Sequence, residues 1–298
     1  MRSNRRLRWA AIPVAITLAV VLAGCTQAEL HGYLPGFLEG EPPVTNHTER
    51  VSGLWVTSWI VLLGVGLLTW GLTIWAIVVY RRRKGQTGLP AQMRYNMPIE
   101  IFYTIVPLIL VLGFFAFTAR DQAIIETQFD EPDVEIEVFA KQWAWDFIYA
   151  DAVDGEDVWT AGIQAQRSEG GSVDQDELPT LYLPVGADVR IALQSRDVIH
   201  SFWVIDFLYK KDMFPGKTNY MSFVPEREGT YAGKCAELCG EYHADMLFNV
   251  KVVSQDEYDA YLQALADEGN VGDFGDEFSR NATLPGIDAP ERVEEGAY

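Results

Sequence analysis

Val134-Glu135-Ile136-Glu137-Val138 alternates apolar and charged side chains residue by residue, the pattern of a strand with one face buried and the other in water. Short runs of the same kind recur at 180–194, 198–208, 219–224, 229–234 and 247–253, separated by Pro and Gly turns. Short strands at regular spacing predict an antiparallel sandwich. Phe139, Trp143, Trp145, Phe147 and Tyr149 continue the two-residue period, which places them on one core-facing side of a regular strand. Residues 150–178 form an acidic, glycine-containing excursion between strands, and residues 255–298 combine a short helical pattern near 255–266 with a polar, acidic tail. That tail is expected to be extended or disordered in isolation. The sandwich therefore occupies residues 120–254.

Upstream of Arg120 alternation gives way to apolar runs. Leu54 to Tyr80 carries no charge, and a second apolar run extends from about 98 to 118. Each is long enough to cross hydrocarbon as a helix, so residues 54–119 read as a transmembrane hairpin with a loop at 81–97. Arg81-Arg82-Arg83-Lys84 marks that loop as cytoplasmic, which puts the segment before the first span and everything after the second outside. Residues 25–53 are then an external, irregular segment containing Pro35, Pro42 and Pro43. His31 and His47, with no sulfur ligand nearby, read as surface residues. Residues 1–24 open with four arginines, continue through a short apolar stretch and end in small residues before Cys25. This is the pattern of a signal peptide, and Leu22-Ala23-Gly24-Cys25 resembles a bacterial lipobox, which implies cleavage before Cys25 and a lipid on its thiol; an uncleaved anchor helix is the other reading.

The net charge of −19 is unevenly spread: residues from Asp121 onward carry 12 Lys and Arg against 37 Asp and Glu, whereas residues 1–97 carry ten basic groups against four acidic. Such a surface repels nucleic acid and suits a basic protein partner or a metal, although plain solubility of an exported domain explains it as well.

Chemistry concentrates in Cys235-Ala236-Glu237-Leu238-Cys239-Gly240-Glu241-Tyr242-His243-Ala244-Asp245-Met246, with His200 upstream in Asp197-Val198-Ile199-His200-Ser201-Phe202. Two thiolates, two imidazoles and a thioether form a soft donor set suited to copper rather than to Mg or Ca. Two cysteines in one tight loop allow each sulfur to bridge two copper ions, leaving one histidine per ion. A disulfide between Cys235 and Cys239, or zinc held with both histidines, uses part of the same set. The disulfide leaves the histidines unexplained, and zinc leaves Met246 unexplained. No Cys-x-x-Cys-His haem-attachment motif is present, so the haem of an electron donor sits on another chain.

The order Asp-Val-Ile-His-Ser-Phe, Pro215-Gly216-Lys217-Thr218-Asn219 and the cysteine loop, behind a two-helix hairpin, resembles subunit II of cytochrome c oxidase from about residue 50 to 265. The resemblance implies an all-β cupredoxin-like Greek-key sandwich carrying a binuclear copper centre, CuA. Its ligands would be His200, Cys235, Cys239, His243, Met246 and the backbone carbonyl of Glu237. It gives the Glu237 carboxylate to Mg or Mn at the border with the haem-bearing catalytic subunit. It makes Trp143 the point of electron uptake from a cytochrome c-type donor, soluble or held in a supercomplex. Ala144 departs from the family, which commonly has Tyr there, and this touches the donor contact rather than the copper site. Glu100, seven residues before Pro107, matches a glutamate at the entrance of a proton pathway into the catalytic subunit. Acidic groups near the copper face, Asp197 among them, would attract a cationic donor. The activity implied is that of a respiratory terminal oxidase in a bacterial cell membrane, with oxygen reduced and protons translocated on partner subunits. The rival reading is a membrane-anchored copper-binding or copper-delivery lipoprotein without turnover.

Overall fold

The computed structural model describes residues 26–89, 92–168, 170–275 and 278. The leader over 1–24, Cys25 and the chain beyond residue 278 lie outside the described residues. The chain divides into a helical unit, Gly53–Glu126, and a β unit made by the residues on either side of it.

Helix α1 (Gln27–Leu30) is a single turn capped by Thr26. The long helices are α2 (Thr48–Val79) and α3 (Met97–Ile125), where the sequence placed spans at 54–80 and 98–118. Both are long and apolar enough to cross a membrane. Their hydroxyls do not disturb that character, because Ser58, Thr69 and Thr73 each donate to the carbonyl four residues earlier, at 2.7–2.9 Å; a polar group satisfied within its own helix avoids the penalty of facing lipid.

Among the described residues the β unit contains ten strands: β1 (Val134–Lys141), β2 (Ala144–Val153), β3 (Glu156–Thr160), β4 (Thr180–Pro184), β5 (Val189–Ser195), β6 (His200–Val204), β7 (Tyr209–Met213), β8 (Asn219–Phe223), β9 (Gly229–Cys235) and β10 (Leu247–Val253). They form two five-stranded sheets, ordered β3-β2-β1-β5-β8 and β4-β10-β9-β6-β7. The expectation of an antiparallel sandwich is corrected at two pairings, because β1 lies parallel to β5 and β10 parallel to β4. Alternation of side chains reports which face is buried and is silent on the direction of the neighbour. The chain crosses between the sheets before each parallel partner returns, as parallel pairing requires.

The core lies where inward residues of both sheets meet. Ile136 and Val138 from β1, Ile191 and Leu193 from β5, and Val250 from β10 are fully buried. Gly233 on β9 is required by this packing: a Cβ there would stand 2.2 Å from the Phe248 ring. The aromatic stripe is corrected too. β1 ends at Lys141, Gln142 and Trp143 make the turn, and β2 begins at Ala144, so Phe139 and Trp143 are not on one strand with Trp145, Phe147 and Tyr149. The last three do share the core face, each fully buried. On the opposite face of the same sheet Ile148, Trp159 and Phe278 form a second cluster, with Phe139 and Phe274 against it, so β2 is covered on both sides. Helix α4 (Gln255–Asp267) adds Tyr258, Leu262 and Leu265 to the main core.

The segment before α2 is also less exposed than its composition suggests. Val44 is fully buried, Thr45 bridges Pro225, and Asn46 Oδ1 accepts the Val224 N–H at 3.0 Å. His47, read from the sequence as a surface residue, is buried with Nε2 2.8 Å from the Ser222 carbonyl on β8. His31 stacks on Phe37 with centroids 3.8 Å apart and Nδ1 3.2 Å from Ser52 Oγ. Part of the 150–178 excursion is regular, since β3 pairs antiparallel with β2.

Candidate metal centre

Cys235 closes β9 and Met246 immediately precedes β10, and the loop between them folds back so that Cys235 N–H donates to the Met246 carbonyl at 3.0 Å. β6 lies beside β9 with Phe202 opposite Cys235, and Ala236 N–H donates to the Ser201 carbonyl at 3.0 Å. That pairing delivers His200, the first residue of β6, to the loop. Six donor atoms are linked in a chain of contacts through the two sulfurs. Cys235 Sγ is 3.8 Å from His200 Nδ1, 3.2 Å from the Glu237 carbonyl oxygen and 3.8 Å from Cys239 Sγ. Cys239 Sγ is in turn 3.5 Å from His243 Nδ1 and 3.8 Å from Met246 Sδ. Both cysteines are free and buried, as are His200 and Met246; His243 is half-buried. His200, Cys235 and Cys239 alone place their ligand atoms within 4.8 Å of one another. Sulfur and imidazole donors in this grouping fit a soft metal, and copper above all.

Charge is arranged around the same atoms. His200 Nε2 meets Asp197 Oδ1 at 2.8 Å, which leaves Nδ1 facing the sulfurs. The Asp197 carboxylate also accepts the N–H groups of Val198 and Gln142, each at 2.7 Å. Burial would raise the pKa of Asp197, but these three hydrogen bonds hold it below the usual carboxylate range. Burial would likewise lower His200; the bond to Asp197, and then the contact with Cys235, raise it instead. The sulfur–sulfur contact, aided by His200 and opposed by burial, draws the Cys235 thiol far below its ordinary value. The same contact, together with burial, drives Cys239 up. The contact thus favours the thiolate at Cys235 and the thiol at Cys239, and a metal must displace protons to gain both thiolates.

A family model described as cytochrome c oxidase subunit II, periplasmic domain, matches residues 134–253. The "Probable cytochrome c oxidase subunit 2" of Streptomyces avermitilis is 43% identical over 298 residues, which span 91% of this chain and 92% of that one. The chain belongs to the cytochrome c oxidase subunit II family. The Mycobacterium tuberculosis cytochrome c oxidase subunit 2 is a more distant relative, 33% identical over 89% of this chain and 83% of its own. A crystal structure of the periplasmic domain of subunit II from Bradyrhizobium japonicum covers 46% of this chain and 96% of that one at 27% identity, with a TM-score of 0.39. The subunit II family carries CuA, and the soft, buried donor set of this member fits that centre.

Within this subunit II, Trp143 sits in the β1–β2 turn, where its indole N–H donates to the Cys239 carbonyl at 3.3 Å. Gln142 Nε2 donates to the same carbonyl at 2.6 Å. The Trp143 ring packs edge-on against Tyr242 with centroids 4.9 Å apart, and Tyr242 is 40% exposed while Trp143 is only 6% exposed. Gly240, at φ +128°, lies under both side chains; a Cβ there would come within 3.0 Å of Gln142 Nε2 and 3.1 Å of the Trp143 ring. The Glu237 side chain is exposed while its carbonyl faces Cys235. Glu100 stands in the first turn of α3, in the helical unit, and its Oε1 reaches back to accept the N–H of the N-cap residue Asn96 at 2.8 Å, a bond of the kind made by the acidic partner of a capping box. Asp197, read from the sequence as a charge that draws a donor, is committed to three hydrogen bonds and orients His200. The Asp-x-x-His spacing carried that signal, because a carboxylate three residues from a ligand histidine is well placed to hold its far nitrogen. Gln142 and Tyr242 went unnoticed in the sequence.

Proposed function

We propose that this chain is the electron-accepting subunit of a respiratory terminal oxidase, with His200, Cys235, the Glu237 carbonyl, Cys239, His243 and Met246 holding a dicopper CuA centre. The observation that carries this reading is the linkage of all six donor atoms through the two cysteine sulfurs. Bound there, CuA supplies reversible one-electron chemistry. The chain's own residues hold the donors still and keep water away: five of the six ligating residues are buried or half-buried at the β6–β9 junction or in its loop, and Asp197 fixes the ring of His200. A rigid sandwich beneath them limits rearrangement when charge changes. The electron source is a cytochrome c-type donor, and the acceptor is the haem-bearing subunit, where oxygen reduction is coupled to proton translocation. In this reading α2 and α3 form a hairpin in a bacterial cell membrane with the β unit outside, and Cys25 carries a lipid.

Copper assay with electron paramagnetic resonance on the purified full chain tests the assignment. Two copper ions per chain with one electron shared between them is expected; a mononuclear spectrum, or zinc in their place, contradicts it. Trp143 links the exposed Tyr242 to the Cys239 carbonyl, which supports it as the site of electron uptake. Trp143→Phe is expected to slow reduction by a cytochrome c-type donor by more than about tenfold with copper content unchanged, since the indole N–H contact is lost; an unaltered rate removes Trp143 from that role. The exposed Glu237 carboxylate is free to reach Mg or Mn at a subunit border. Glu237→Gln is expected to abolish bound Mn while the copper spectrum stays, and retention of Mn rules the site out. Glu100→Gln is expected to slow reduction of the haem–copper centre and not reduction of CuA; a normal rate leaves Glu100 as a helix cap alone.

A further inference from the structure

Arg167 is the one cation in the acidic excursion over residues 150–178, and it reaches the metal loop. Its Nε donates to Asp245 Oδ2 at 2.8 Å and its Nη2 to Asp245 Oδ1, a two-pronged contact with a carboxylate. Nη1 donates to the Gly171 carbonyl at 2.6 Å, which steadies the guanidinium from its other edge. The Asp245 side chain is 11% exposed and that of Arg167 52%. Asp245 belongs to the 3₁₀ turn His243–Asp245, immediately before Met246. That turn is short, and its internal bonds are few: Asp245 N–H to the Tyr242 carbonyl at 2.9 Å and Met246 N–H to the His243 carbonyl at 3.4 Å. A second tie joins the excursion to the strand beyond the loop, where Asn249 Nδ2 donates to the Gln175 carbonyl at 2.7 Å.

We propose that Arg167 is a positioning residue for the metal centre, acting through Asp245 to fix the turn that presents His243 and Met246. This rests on the reading of those two residues as ligands. The physical argument is one of leverage. A nearly buried carboxylate is held only where a partner compensates it, and a planar fork fixes its orientation as well as its charge. With the fork removed, Asp245 turns toward water, and Met246, next to it in the backbone, and His243, two residues before it in the same turn, move with it. Residues that orient a ligand from behind typically change metal affinity by about 10–100-fold when replaced.

The test uses the detergent-solubilised full chain. Arg167→Ala is expected to lose copper to excess EDTA roughly tenfold faster than the parent and to change the copper hyperfine pattern. Arg167→Lys, which keeps the charge without the fork, is expected to recover only part of both. Asp245→Asn is expected to behave like Arg167→Ala, and the double variant to be no worse than either, because they remove the same contact. Amide hydrogen exchange at residues 243–246, measured on copper-free protein, is expected to quicken in Arg167→Ala. Unchanged exchange together with an unchanged spectrum overturns the proposal, and so do additive effects of the two substitutions. Because exchange is read without metal, a parent protein that takes up no paired copper sinks the ligand reading, while the exchange comparison still decides whether Arg167 holds the turn.

Discussion

Cys239→Ser is expected to abolish the shared-electron copper spectrum and to lower copper affinity by more than about a hundredfold, beyond what replacing a group behind a ligand typically does. Cys239 is the hub of the donor chain: its sulfur is 3.8 Å from Cys235 Sγ, 3.5 Å from His243 Nδ1 and 3.8 Å from Met246 Sδ. A serine oxygen is a hard donor, poor for copper in its reduced state, and it cannot bridge two such ions. Cys235 keeps its contacts with His200 and the Glu237 carbonyl, a set suited to one ion, while His243 and Met246 lose the sulfur that joins them to it. The change also removes the sulfur–sulfur contact that draws Cys235 down, so the remaining thiol should titrate at a higher pH. Metal analysis, resonance spectra and a thiol-reactivity titration read these separately. A Cys239→Ser protein that still holds two copper ions with one delocalised electron would refute the bridging role of this residue.

The largest effect on stability is expected at Lys141. Its ammonium meets Asp146 Oδ1 at 2.7 Å with both side chains inaccessible to water, and it donates to the Phe278 carbonyl at 2.9 Å. Gly162 N–H donates to the same Asp146 oxygen at 3.0 Å. Arg196 lies 4.5 Å over the Phe139 ring and 5.3 Å over that of Phe274, with Nε 3.7 Å from Asp146 Oδ2. Lys141→Met leaves a buried carboxylate short of its main counter-charge and is expected to destabilise the β unit by about 3–5 kcal/mol. Replacing both partners, Lys141→Met with Asp146→Leu, should recover most of that loss.

The same site predicts a pH dependence. Burial raises the Asp146 pKa to about 6, against the pull of Lys141, the Gly162 N–H and Arg196. An acid whose folded pKa exceeds its unfolded one binds more protons when folded, so stability falls as pH rises through the folded value. Removing Lys141 takes away the largest opposing effect and moves that value higher still. The Lys141→Met protein should therefore be more stable at pH 5 than at pH 8, by more than the parent. Thermal unfolding followed by near-ultraviolet circular dichroism at both pH values gives the comparison, and equal pH dependence in the two proteins would refute it. Lys141 directly precedes Gln142 and Trp143, so loss of this pair also loosens the turn that braces the Cys239 carbonyl.

Much of this molecule was legible in its sequence, for reasons that differ from part to part. The donors Cys235 to Met246 fall within one loop, and a soft ligand set so compressed has few other uses. The strands were legible because burial of alternate residues is a local property. Partner direction is not local, which is why the parallel pairing of β1 with β5 was hidden. Trp143 was misplaced because the two-residue aromatic rhythm of Trp145, Phe147 and Tyr149 already begins at Trp143, within the β1–β2 turn. His47 was taken for a surface residue because its partner, Ser222, lies 175 residues away. Gln142 reaches the Cys239 carbonyl across 97 residues, beyond any motif. Residues 150–178 looked like solvated acid, and the one arginine among them gave no hint of its partner.

The position of Cys235 opposite Phe202 has an implication for how the protein matures. His200 and Cys235 are 35 residues apart and meet only when β6 and β9 pair in a single alignment. A slip of one residue would send the sulfur to the other side of the sheet. In the proposed centre copper capture would therefore serve as a proofreading step: a chain zipped out of step would offer the ion an incomplete grip, and a loaded one would have passed inspection.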